Sequence, residues 1–98
     1  SSFMITITIT NTPSTQKIEI KGHSDKGKEP CARVTSAFEM LAYLLYKDRD
    51  EIEQRDGYSL LVTTITSENK EQLKIAQAYF NSLQVHYQKT IKVENKEV

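Results

Sequence analysis

At 98 residues the chain is expected to be a single domain over 1–98, and a domain of this size buries only about two-thirds of the surface of its unfolded chain, which leaves little room for a deep private cavity. Thirteen Lys and Arg balance thirteen Asp and Glu, so the basic excess of a nucleic-acid footprint is missing. One cysteine excludes an intramolecular disulfide and suits a reducing cytoplasm, while no apolar run approaches the roughly 18 residues of a membrane span and the N-terminus lacks the layout of a signal peptide.

Met4 is the expected natural start. From Met4 to Thr10 the chain alternates, with Ile5, Ile7 and Ile9 on one face and Thr6, Thr8 and Thr10 on the other; period two with β-branched residues predicts a half-buried strand. Asn11 to Ser14 predicts a turn. Lys17 to Lys21 alternates again around Ile18 and Ile20, which makes the first two strands a hairpin ended by Gly22.

Pro30 suits the first position of a helix, where its missing N–H costs nothing. Val34, Ala37, Phe38, Leu41, Leu44 and Leu45 then recur at spacings of three and four, the stripe of an amphipathic helix running to about Lys47. Lys47-Asp48-Arg49-Asp50-Glu51 reads as a solvated, charged exit. Gly57 precedes a third strand, Tyr58 to Ile65, whose near-continuous apolar start suggests a central position. Ser67 to Glu71 predicts a capped helix start, and Leu73, Ala76, Phe80 and Leu83 form the core stripe of that helix. Thr90 to Glu94 alternates as a last strand, with Ile91 and Val93 inward.

The order ββαβαβ predicts an α+β fold: a two-layer α/β sandwich with a four-stranded, mainly antiparallel sheet and two helices on one face. The other face, carrying Thr6, Thr8, Lys17, Glu19 and Lys92, is either wet or a subunit interface.

Chemistry concentrates in Gly22-His23-Ser24-Asp25-Lys26-Gly27-Lys28-Glu29-Pro30-Cys31. With Pro30 as first helical residue, Cys31 is the second, beside unpaired N–H groups and the positive end of the helix dipole. Both favour thiolate, and the same N–H groups can receive the oxyanion formed when a thiolate attacks a carbonyl. His23 is placed to take the thiol proton and return it to a leaving amine, with Gly22 and Gly27 giving the loop its freedom. The residues alone equally allow a small apolar filler at Cys31.

Other readings of this loop fail. Gly22 to Lys28 fits G-x-x-x-x-G-K, but Glu29 stands where a phosphate loop needs Ser or Thr, and Pro30 removes an N–H from the cradle. His23, Asp25 and Cys31 lack zinc-ligand spacing, and no metal or other cofactor is expected. His86, near the end of the second helix, reads as a surface histidine that the dipole tolerates.

Gly22-His23-Ser24, the Lys-Gly-Lys-acidic stretch, and Cys31-Ala32-Arg33-Val34-Thr35 at a helix start resemble the bacterial ribosomal-processing cysteine protease family, Prp, over nearly the whole chain. The resemblance implies a small homodimeric endopeptidase that removes an N-terminal extension from a ribosomal protein or, in phage relatives, acts on a capsid-related protein. It makes Cys31 the nucleophile and His23 the general base. Thr35 stands in for the family serine, one helical turn beyond Cys31, and neither nucleic acid nor membrane is a partner. The chain departs from the family in a shorter His-to-Cys loop, in Glu29-Pro30 before the cysteine, and in Arg33, which faces solvent or favours an acidic substrate residue. The rival reading is a non-catalytic peptide- or protein-binding module on the same fold, using the loop or a sheet edge.

Overall fold

The computed structural model describes residues 4–23 and 28–98. Its elements are β1 (Ile5–Asn11), β2 (Thr15–Lys21), α1 (Glu29–Leu44), β3 (Arg49–Arg55), β4 (Tyr58–Thr64), α2 (Lys70–His86) and β5 (Ile91–Glu97). The fold class is α+β, with two helices against one mixed sheet of five strands in the order β3-β4-β2-β1-β5.

β1 and β2 pair antiparallel, Thr6 opposite Lys21 and Asn11 opposite Gln16. The Thr12 hydroxyl closes their turn by accepting the Thr15 N–H at 2.9 Å. β2 pairs antiparallel with β4, and β4 with β3. β5 runs parallel to β1, with Ile5 opposite Ile91. It follows that α1 and α2 each join two strands of like direction, and that the two crossovers move opposite ways across the sheet. Right-handed crossovers of that kind lay both helices on the same face.

The burial agrees. Ile5, Ile7, Ile9, Ile18 and Leu61 form one buried cluster with Val34, Phe38 and Leu41 of α1 and Leu73, Phe80 and Leu83 of α2. Alternation in the strands and three-four spacing in the helices therefore meet in one apolar layer. Among the described residues no helix is long and apolar enough to cross a membrane.

The expectation of four strands in the order ββαβαβ is corrected to five in the order ββαββαβ. The added strand, β3, has the sequence Arg-Asp-Glu-Ile-Glu-Gln-Arg and lies at the sheet edge, its side chains almost all exposed. Edge strands carry charge because it discourages pairing with other chains, so apolar alternation, the usual signal, is absent. Asp56-Gly57 joins β3 to β4 as a two-residue hairpin loop, with Arg55 opposite Tyr58 and Gly57 at φ +75°. An Asp-Gly pair before a strand was the sequence signal for this hairpin.

Two boundaries also move. Helix α1 starts at Glu29, with Lys28 as N-cap, so Cys31 is its third residue and not its second; the helix stops at Leu44. The N-cap of α2 is Asn69, whose side chain makes no cap hydrogen bond. Instead its Oδ1 accepts the Thr66 N–H at 2.9 Å, and its Nδ2 donates to the Thr64 carbonyl at 2.9 Å and to Asp48 Oδ2 at 3.0 Å. This buried amide ties the start of α2 to the end of β4 and to the turn before β3.

The face of the sheet away from the helices carries Thr6, Thr8, Lys17 and Glu19, as expected from their alternation with the buried isoleucines. There Tyr58 donates to Glu19 Oε2 at 2.7 Å, and the Arg55 guanidinium lies 4.5 Å from the centre of the Tyr58 ring.

Candidate active site

β2 delivers His23 just past its end, and the first turn of α1 delivers Cys31. Both line one cavity of about 310 Å³, together with Gly22, Thr35, Gln54, Asp56, Gly57 and Ser59. The structure thus brings four of the five sequence-predicted residues, Cys31, His23, Thr35 and Gly22, to the same place. The fifth, Gly27, lies outside the described residues, as do Ser24, Asp25 and Lys26.

Cys31 is partly buried, and one flank packs against the core cluster. Ala32 N–H bonds back to the Lys28 carbonyl at 2.9 Å, which sets Cys31 in the first turn, at the positive end of the helix. Thr35 follows one turn later on the same face, as i and i+4 require, and reaches the cavity. Two contacts hold α1 over the sheet edge: Arg49 Nη1 donates to the Ala42 carbonyl, and Gln54 Nε2 to Glu39 Oε2, each at 3.1 Å.

Gly22 does not provide freedom. Its φ is +104°, and a Cβ there would stand 2.1 Å from the Met4 carbonyl oxygen. Its N–H donates to the Gly57 carbonyl at 3.0 Å. Only glycine meets these conditions, and the result is a fixed backbone immediately before His23.

The His23 side chain is half exposed, and its Nε2 lies 4.0 Å from Asp56 Oδ1. Gly57 packs against the same nitrogen: a Cβ there would stand 2.7 Å from Nε2, nearer than from any other ring atom. The β3–β4 loop is therefore part of the site. Sequence reasoning missed Gln54 and Asp56 because it missed β3, and only the Asp-Gly pair could have signalled that loop; Ser59 lies on the expected strand β4 but carries no signal of a site.

Arg33 faces elsewhere. It forms an i, i+4 ion pair with Glu29 at 3.7 Å and lines a separate groove with Met40 and Tyr79. The Tyr87 hydroxyl donates to Glu29. That hydrogen bond, reinforced by Arg33, holds the Glu29 carboxyl below its usual range, and the same bond raises the Tyr87 phenol. Among the described residues no three His, Cys, Asp or Glu gather as metal ligands. His86, also exposed, sets its ring edge-on to Tyr87 with centroids 4.8 Å apart.

No family model matches the chain, and no curated protein matches it in sequence. Solved structures do match. An essential ribosomal processing protease, Prp from S. aureus, in complex with a covalently linked product peptide, has a TM-score of 0.78 at 20% identity, covering 95% of this chain and 100% of that one. The same protease in complex with a substrate peptide has a TM-score of 0.64 at 19% identity, covering 95% and 100%. SMU.848 from Streptococcus mutans has a TM-score of 0.62 at 16% identity, covering 97% and 96%. The resemblance to Prp is thus present in the fold of nearly the entire chain.

Proposed function

We propose that the protein is a cysteine endopeptidase of the Prp type, with Cys31 as nucleophile and His23 as general base. The observation that carries this reading is the shared cavity of His23, Cys31 and Thr35, on a fold whose solved counterparts hold peptides, one of them covalently.

The chemistry follows from the groups. His23 takes the thiol proton, and the Cys31 sulfur attacks the carbonyl carbon of the scissile peptide. The electron pair moves to the carbonyl oxygen, which the dipole of the α1 N-terminus stabilises. As the tetrahedral intermediate collapses, the C–N bond breaks and the imidazolium gives its proton to the departing amine. Water, deprotonated by the same imidazole, then attacks the thioester; the product carboxylate leaves and the thiol is restored. The substrate in this reading is an N-terminal extension of a ribosomal or phage capsid-related protein, and the enzyme is a cytoplasmic homodimer.

The test is cleavage of a peptide spanning such an extension, with an aromatic residue before the cut and a small residue after it. Cys31→Ala and His23→Ala should each abolish turnover, whereas cleavage by Cys31→Ala at the parent's rate overturns the mechanism. Sedimentation equilibrium checks the dimer.

A second reading is favoured by one observation. β3 is an open, exposed edge that leads into the cavity through Gln54 and Arg55, as a module that adds an extended peptide to its sheet would require. Equal peptide binding by the parent and by Cys31→Ala, with cleavage by neither, selects that module.

A further inference from the structure

The nitrogen by which His23 is held is legible in the structure. The Asp56 carboxylate lies 4.0 Å from Nε2, and a Cβ placed on Gly57 would stand closer to that same atom than to any other atom of the ring. The loop that carries both is fastened to the backbone beside His23, because Gly22 N–H donates to the Gly57 carbonyl at 3.0 Å. One edge of the imidazole thus rests on the Asp56-Gly57 loop. In a five-membered ring whose Nε2 corner points at that loop, Nδ1 lies on the opposite side.

We infer that Asp56 is a positioning residue for His23, anchoring Nε2 and leaving Nδ1 as the nitrogen that takes the Cys31 proton. This rests on the reading of Cys31 and His23 as the reacting pair, and it adds a third member from an edge strand and loop. At 4.0 Å the two groups are not hydrogen-bonded, but a small turn of the exposed Asp56 side chain brings them within reach. A carboxylate in that position fixes which imidazole nitrogen carries a hydrogen and stabilises the imidazolium that forms when the thiol is deprotonated. Closure matters only during the reaction, and such catalytic contacts are often long in unliganded enzymes. Because Asp56 is exposed, the effect is that of a solvent-screened pair, several-fold and not a thousand-fold.

The experiment compares the parent with Asp56→Ala and Asp56→Asn. Both should fold, since the side chain is almost wholly exposed. Asp56→Ala should lower kcat about three- to fivefold with KM unchanged, the size of an exposed charge pair. Asp56→Asn, whose amide oxygen still accepts a hydrogen bond from Nε2–H, should recover most of that loss. Carbon-13 relaxation of the His23 ring should show greater ring motion in Asp56→Ala than in the parent and in Asp56→Asn. Unchanged kcat together with unchanged ring motion in Asp56→Ala overturns the inference, as does a loss confined to KM. The ring measurement needs no substrate, so it stands apart from a failure of the protease reading, which shows instead as absent cleavage by the parent.

Discussion

A Cβ on Gly57 would stand 2.7 Å from His23 Nε2, while the backbone at Gly57 holds φ +75°. The positive φ calls for glycine by itself, whereas the contact is with the far end of a half-exposed side chain that can turn aside. The positive φ strains any L side chain by roughly 1–2 kcal/mol, and the contact leaves no room beside the imidazole. Gly57→Ala should therefore lower stability by about 1–2 kcal/mol in urea unfolding and should turn His23 out of the cavity. Its activity should fall further than the stability loss explains at temperatures where the variant remains folded. Full activity in the folded variant would show that the His23 ring does not rest on Gly57.

On the opposite face of the sheet, the Tyr58 hydroxyl donates to Glu19 at 2.7 Å. This bond lowers the Glu19 carboxyl below 4.5, with Lys21, Lys17 and Lys96 contributing, and raises the Tyr58 phenol to about 12. The two shifts act at opposite ends of the pH scale. A depressed carboxyl adds stability above its unfolded value and loses it as pH falls through the folded one; a raised phenol adds stability below pH 10 and loses it between pH 10 and about 12. Tyr58→Phe should therefore flatten the melting temperature against pH both below about 4.5 and above about 10. Parallel profiles for parent and variant would remove the bond from the account of stability.

The sequence was most legible where burial is one-sided. Ile5, Ile7, Ile9, Ile18 and Ile20 declare their strands because each alternates with a polar neighbour and packs under a helix. Phe38, Leu41, Phe80 and Leu83 declare their helices for the same reason. β3 was illegible because an exposed edge buries nothing: Asp50, Glu51 and Glu53 stand in water on a strand held chiefly by its pairing with β4. The site followed the same division. His23 and Cys31 stood out as chemically unusual residues at the end of a strand and the start of a helix. Asp56 and Gly57 lie far along the chain and reach His23 only through a hairpin that apolar periodicity cannot signal.

Asn69 is 2% exposed, yet it is polar and makes its bonds outward from its own helix. Its amide serves the Thr66 N–H and the Thr64 carbonyl and reaches Asp48, so three separate segments depend on it. Asn69→Ala should cost about 1–3 kcal/mol, because it removes the hydrogen bonds of a buried amide to the Thr66 N–H, the Thr64 carbonyl and Asp48. Asn69→Asp should recover part of this loss, since its oxygen still accepts the Thr66 N–H, but it places a carboxylate beside Asp48. Urea unfolding of the three proteins gives the order: parent, then Asp, then Ala. If Ala ranks above Asp, repulsion from Asp48 outweighs the bond kept from the Thr66 N–H.

Thr35 reaches the cavity one turn after Cys31, and its hydroxyl is the part that matters if it aids the reaction. Thr35→Val keeps the shape and the β-branch but loses the hydroxyl; Thr35→Ser keeps the hydroxyl and loses a methyl. A hydroxyl that hydrogen-bonds reacting groups contributes about 0.5–1.5 kcal/mol, which is roughly two- to tenfold in rate. Thr35→Val should lose that factor in kcat, whereas Thr35→Ser should stay close to the parent, with both variants melting near the parent because the side chain is exposed. A kcat for Val equal to the parent's would reduce Thr35 to a wall of the cavity. A drop in Ser alone would assign its role to the methyl group, which Val keeps.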